Sequence, residues 1–158
     1  MKTAPAAPLA LAAALVLAGF AGPADRADAA PLCAPEKMGF AGMMAKCNRE
    51  TLPPLTLASG KPLAEGPLKL QSGGYYKIDI VADGSAELAI AGAGFFRAVW
   101  VNEIVINAIE VRPLGVDSIE FDKAGTVTMS FIALKPGRYE LGIPGARGDS
   151  QKVMVTIQ

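Results

Sequence analysis

Residues 134–158, "LKPGRYELGIPGARGDSQKVMVTIQ", read as a turn, a strand, a loop and a last strand. Lys135-Pro136-Gly137 is turn chemistry, because proline presets φ and glycine accepts conformations that side chains resist. "RYELGI" follows, then a Gly- and Pro-rich loop, then "KVMVTIQ". In that last run Val153, Val155 and Ile157 share one face, and Lys152, Met154 and Thr156 take the other. A period of two over so short a run marks a half-buried strand, whose successive side chains point to opposite faces of a sheet.

The same alternation extends back towards the N-terminus. In "TVTMSFIAL", Val127, Met129 and Phe131 oppose Thr126, Thr128 and Ser130; in "YYKIDIVA", Tyr76, Ile78 and Ile80 oppose Lys77 and Asp79. Further candidate strands are "PLTLAS", "PLKLQS", "AELAIAG", "FFRAVWVN", "IVINAIEVRP" and "SIEFD", with Asp83-Gly84 and Lys123-Ala124-Gly125 as turns between them. Helical periodicity is missing after Pro53 and Pro54, and no repeat of 20 to 50 residues recurs, which excludes a solenoid or propeller. Short strands separated by turn signals predict an all-β, two-sheet sandwich of about seven to nine strands.

The first thirty residues have a different character. Lys2 precedes an Ala/Leu/Val run from Ala6 to Phe20, followed by Ala27-Asp28-Ala29. A charged start, an apolar middle and a small-residue cleavage site predict a secretory signal peptide cut before Ala30. The apolar run is shorter than the roughly 20 residues a membrane-spanning helix needs, so no span is expected once the signal is removed. The expected location is periplasmic or secreted. The predicted organisation is a signal peptide over 1–29, an N-terminal helical segment and linker over 30–54, and a sandwich domain over 55–158. The remaining chain of about 129 residues carries thirteen acidic and thirteen basic residues. No basic stripe points to nucleic acid, and no charged tail points to a charge-driven partner.

Cys33 and Cys47 are the two cysteines. In an exported chain they predict a disulfide, and closing a loop of about 15 residues stabilises by on the order of 3 kcal/mol in the chain-entropy account. The competing reading is a soft-metal site, because "CAPEKMGFAGMMAKC" also offers Met38, Met43 and Met44, and thioether with thiolate suits Cu(I). On a helix Met43 and Met44 would each lie one turn from Cys47.

The chain has no histidine. This excludes Ser-His-Asp and Cys-His nucleophile systems within the chain, the imidazole ligands of zinc, copper and iron, and c-type haem attachment. No phosphate-binding loop or dinucleotide fingerprint is present. Glu110, Asp117, Glu120 and Asp122 cluster in sequence, but on alternating strands they read as a solvated face. Arg147-Gly148-Asp149 reads as turn chemistry rather than an adhesion signal. The aromatic "GFFRAVWVN" places Phe95 and Phe96 on opposite faces of a strand, and two readings follow. One is a doubly covered central strand; the other is a docking patch, since Phe, Trp and Arg are favoured at interface centres.

Phe131, Pro136-Gly137, Tyr139 and "ELGIPGARGDSQKVMVTI" together resemble the C-terminal region of the cupredoxin family. The resemblance implies a cupredoxin-like Greek-key β-sandwich or barrel, preceded here by a short helical, disulfide-linked segment. It places the family's copper-binding cysteine at Gly142 or Ile143, the loop histidine at Ala146 or Arg147, the late methionine near Val153 or Met154, and the earlier histidine around Gly94 to Arg97. A blue-copper site needs His₂Cys. The resemblance therefore implies the scaffold without the type 1 copper ligands. The expectation is an exported, non-enzymatic binding or accessory protein with no catalytic residues and no cofactor, copper being the one candidate. Its partner would be another exported protein, met at a rim formed by Phe95, Phe96, Arg97, Arg147 and Asp149. The alternatives are copper handling through the N-terminal Met/Cys segment and a structural or adhesive sandwich.

Overall fold

The alternating runs form eleven strands in the computed structural model, which describes residues 40–158. They are β1 (Arg49–Thr51), β2 (Leu55–Leu57), β3 (Leu68–Leu70), β4 (Tyr75–Ala82), β5 (Leu88–Ala91), β6 (Val99–Ile106), β7 (Ile109–Val111), β8 (Ser118–Phe121), β9 (Gly125–Ala133), β10 (Gly137–Gly142) and β11 (Lys152–Ile157). One sheet runs β1-β4-β9-β6-β7, with β2 also paired to β4; the other runs β3-β11-β10-β5-β8. Both sheets are mixed, since β1 and β2 pair in parallel with β4, and β3 in parallel with β11. The two mixed sheets agree with the β-sandwich expected from the sequence.

The alternating apolar residues make the core. Tyr76, Ile78 and Ile80 of β4, Val127, Met129 and Phe131 of β9, and Val153, Val155 and Ile157 of β11 are all buried. Each such side chain contributes about 1.5–3 kcal/mol through the area it removes from water. The Phe131 ring lies 5.8 Å from Tyr76 and 5.4 Å from Phe95, the latter nearly edge to face.

Four local features differ from the expectation. The stretch read as a linker contributes β1, whose Arg49 and Thr51 stand beside Tyr75 and Lys77 of β4. The expected helix before it is, over the described residues, two 3₁₀ turns, Phe40–Met44 and Lys46–Asn48, separated by an extended Ala45 at φ −61 and ψ 149. Met43 and Met44 are therefore not stacked one helical turn from Cys47. Buried Asn48 holds this segment in place, its Nδ2 donating to the carbonyls of Met43 and Gly73 at 2.8 Å each.

The run "FFRAVWVN" is not one strand. Ala93–Phe96 form a single helical turn, α1, and β6 begins only at Val99. Consecutive residues on a strand point to opposite faces, whereas on a helical turn they diverge by about 100° and can both face a core. Phe95 and Phe96 do so, at 1% and 8% exposure, with ring centres 5.6 Å apart. Finally, "IVINAIEVRP" folds back on itself. Asn107 and Ala108, both at positive φ (49° and 64°), make the two-residue turn between β6 and β7.

After β9 the chain turns through Pro136-Gly137. The Tyr139 hydroxyl donates to the carbonyls of Lys135 (2.9 Å) and Pro136 (3.3 Å), tying the strand to the turn it has just left. Glycine is required at 137: its φ is 154°, and a Cβ there would lie 2.8 Å from the Tyr139 hydroxyl.

Candidate functional site

The outer face of the first sheet carries a polar groove of about 330 Å³ between β1, β4, β9 and β6. Register builds it. Thr51, Lys77, Ser130 and Glu103 stand in one row across the four strands, and Asp79, Thr128 and Val105 in the next. Strict alternation along β6 would turn Glu103 inward with Val99 and Val101. A β-bulge between Val101 and Glu103 inserts Asn102 as an extra residue. Ile104 then packs into the core while Asn102 and Glu103 both serve the outer face, which is the re-aiming a bulge performs.

Asn102 joins the strands across the groove floor. Its Nδ2 donates to Tyr75 Oη at 3.1 Å and to Ser130 Oγ at 3.2 Å, and both acceptors belong to buried residues. Above Tyr75 lies the Arg49 guanidinium, 4.8 Å from the ring centre. Its Nε and Nη2 donate to the Met44 carbonyl at 3.1 and 2.8 Å, so the cation is fixed in place. At the far wall Arg112 pairs with Glu103 and Glu110, both at 3.0 Å. Thr128 Oγ1 donates to Asp79 Oδ1 at 2.6 Å below.

The residues anticipated as a docking rim do not come together. Phe95 and Phe96 are core residues and offer no surface. Arg97 is exposed beside the start of β10, where the Ala98 carbonyl accepts the N–H groups of Leu134 and Lys135. Arg147 and Asp149 lie exposed in the loop leaving the other end of β10, a strand spanning about 17 Å at strand rise. That loop is held instead to residues 61–63, through Leu63 N–H to the Ser150 carbonyl at 2.7 Å and Gln151 Nε2 to the Lys61 carbonyl at 2.8 Å. Asp149 pairs with Lys152 at 3.7 Å. Glu110, Asp117, Glu120 and Asp122 are exposed.

The positions the resemblance assigns to copper ligands do not suit type 1 copper. Gly142, Ile143, Ala146 and Arg147 supply neither thiolate nor imidazole, and Met154 projects outward from β11 at 43% exposure. Among the described residues no group of three or more His, Cys, Asp or Glu is placed to hold a metal. For the N-terminal alternative, Met44 is exposed, Cys47 is not a free thiol, and Met38 and Cys33 lie outside the described residues. The expected Cys33–Cys47 pairing and the signal peptide lie there too. Among the described residues no helix is long and apolar enough to cross a membrane.

Arg49, Tyr75, Lys77, Asn102 and Ser130 were not singled out from the sequence. The available signal was the interruption of alternation in "VWVNEIVI", where two polar residues stand side by side between apolar ones of one face.

No family model matches the chain, and no curated protein matches it. Solved structures share part of its fold. A blue copper oxidase from Nitrosomonas europaea is 12% identical, with a TM-score of 0.45, over 58% of this chain and 30% of the other. A multicopper oxidase from Pseudomonas thermotolerans is 15% identical, with a TM-score of 0.49, over 70% and 30%. A copper nitrite reductase from Nitrosomonas europaea is 14% identical, with a TM-score of 0.47, over 60% and 33%. The aligned part is a third or less of each of these proteins. The likeness is one of fold, in copper proteins that are themselves enzymes. The expectation that this chain is no enzyme is corrected accordingly, since sandwiches of this kind sit within oxidases and a reductase and the fold gives no ground for excluding catalysis.

Proposed function

We propose that the chain is an exported, cupredoxin-like sandwich domain that works by docking to another exported protein through the free edge of its first sheet. The observation that carries this reading is the β6–β7 hairpin. Ile109 and Val111 stand opposite Ile106 and Ile104, on the face that elsewhere forms the core, yet Ile109 is 65% and Val111 43% exposed. Ile106, 39% exposed and opposite Ile109, extends the patch. Isolated apolar residues on a surface are ordinary, but a contiguous group on an edge strand marks an interaction site or an aggregation liability. A partner covering it would bury aliphatic surface worth about 25 cal/mol per Å².

The test places a photo-crosslinking residue at Ile109 and, as a control on the other side of the sandwich, at Met154, in the protein expressed with its own leader. The expected result is one crosslinked protein from the exported fraction at position 109 and none at 154, lost again in Val111→Asp. Equal labelling at both positions, or a crosslink unaffected by Val111→Asp, would sink the proposal.

A further inference from the structure

We infer that the groove on the outer face of the first sheet is a binding site for a small carboxylate. It is separate from the β6–β7 edge, and the inference does not depend on docking there. The argument begins with where the hydrogen-bond donors are aimed. Asn102 Nδ2 gives its two N–H groups to Tyr75 Oη and Ser130 Oγ, so each hydroxyl is already an acceptor. A hydroxyl that accepts still has one O–H to donate. On both of these buried residues that bond is left for the groove.

The cations point to the same ligand. Lys77 is the cross-strand neighbour of Ser130, and its exposed ammonium makes no hydrogen bond or ion pair with the described residues. The Arg49 guanidinium is held at the opposite wall by Nε and Nη2 on the Met44 carbonyl, leaving Nη1 to a ligand. Of the carboxylates, Glu103 is paired with Arg112 at 3.0 Å and Glu50 also lines the groove. Arg49 and Lys77 line the groove with Glu50 and Glu103, and Arg112 beside it is shared between Glu103 and Glu110, so the walls balance in charge and Lys77 is the ammonium without a fixed partner among the described residues. A ligand carboxylate would pair with Lys77 and accept from Tyr75 and Ser130 together. Charge-assisted hydrogen bonds of this kind are about twice as strong as neutral ones.

Size and wall chemistry set the rest of the ligand. A groove of about 330 Å³ lies at the small end of ligand sites. Val105 supplies an apolar wall beside the polar row, which suits a short aliphatic body. The bulge is the device that makes this site: without Asn102 the hydroxyls of Tyr75 and Ser130 would have no shared donor, and Glu103 would turn towards the core.

The test is a titration of the ¹⁵N-labelled protein with succinate, its uncharged diamide succinamide, and inorganic phosphate, followed by amide chemical shifts and calorimetry. The expected result is saturable shifts at Tyr75, Lys77, Asn102 and Ser130 with succinate alone. Lys77→Met should weaken succinate about tenfold or more, as loss of one charge-assisted hydrogen bond does, without moving the melting temperature. Lys77 is exposed, so this variant folds. Succinamide acting as well as succinate would remove the role of charge. Phosphate acting as well would replace the carboxylate site by a general anion site, and undiminished binding in Lys77→Met, or no shifts at all, would end the inference.

Discussion

Phe95 and Arg97 are two residues apart, yet the structure gives them opposite fates, and the contrast can be measured. Phe95 is 1% exposed, with Phe96 at 5.6 Å and Phe131 at 5.4 Å, both rings inclined edge to face. Replacing it with alanine removes a buried ring and the two aromatic contacts, and leaves a cavity that strands on both sides cannot close. A buried Phe→Ala change costs about 3–5 kcal/mol. For a domain of this size a loss of 1 kcal/mol lowers the melting temperature by a few degrees, so Phe95→Ala should melt about 10–20 °C lower. Arg97→Ala, on an exposed side chain, should stay within about 0.5 kcal/mol of the parent. Thermal unfolding by circular dichroism, with a urea midpoint as the second measure, reads both. A drop of only a few degrees for Phe95→Ala, or an equal drop for Arg97→Ala, would show that α1 is not packed as described.

Two further outcomes follow from local geometry. Ala108 occupies the left-handed region at φ 64°, which costs an L side chain on the order of 1 kcal/mol relative to glycine. Ala108→Gly should therefore raise the melting temperature slightly, by up to a few degrees, because glycine's greater freedom in the unfolded chain offsets part of the relief. Asp83 is held below its ordinary pKa of 3.8, first by the Ser85 hydroxyl, then by the Ser85 N–H, with Lys61 adding to both. A depressed carboxyl stabilises the fold above its ordinary pKa and loses that contribution as pH falls through the lowered value. Asp83→Asn should accordingly melt below the parent at pH 7, and the gap should narrow in acid; a gap constant with pH contradicts this.

Much of the architecture was legible because it rests on short-range pattern. β4 runs over Tyr75–Ala82 as its alternation predicts, and β9 and β11 also follow their alternating runs. The misreadings share a physical cause, which is that the deciding interaction lies elsewhere in the chain or lacks its usual residue. β1 is only Arg49–Thr51 and becomes a strand through parallel pairing with β4, which no local pattern announces. The β6–β7 turn is Asn107-Ala108, and alanine hides a turn that Asn-Gly would have signalled. Aromatic residues favour strands, so the sequence of α1 reads as strand, and the core below it overrides that preference. The docking rim failed for a related reason: likeness to a ligand loop placed residues at one end of the barrel that β10 in fact keeps apart. The groove depends on a bulge and on cross-strand register, neither of which one sequence displays.

β11 lies in the interior of its sheet, between β3 and β10, although it is the last of the described strands in sequence. Its place there has a consequence for timing. As synthesis proceeds, Leu68–Leu70 and Gly137–Gly142 emerge without the strand that joins them, and each offers an open edge until Lys152–Ile157 arrives. The second layer thus closes only after Lys152–Ile157 has been made, and its pairing with Leu68–Leu70 is distant in sequence, in the slow regime of β topologies. Until then those two edges are open to foreign strands, the kind of surface that makes partly folded chains prone to aggregate.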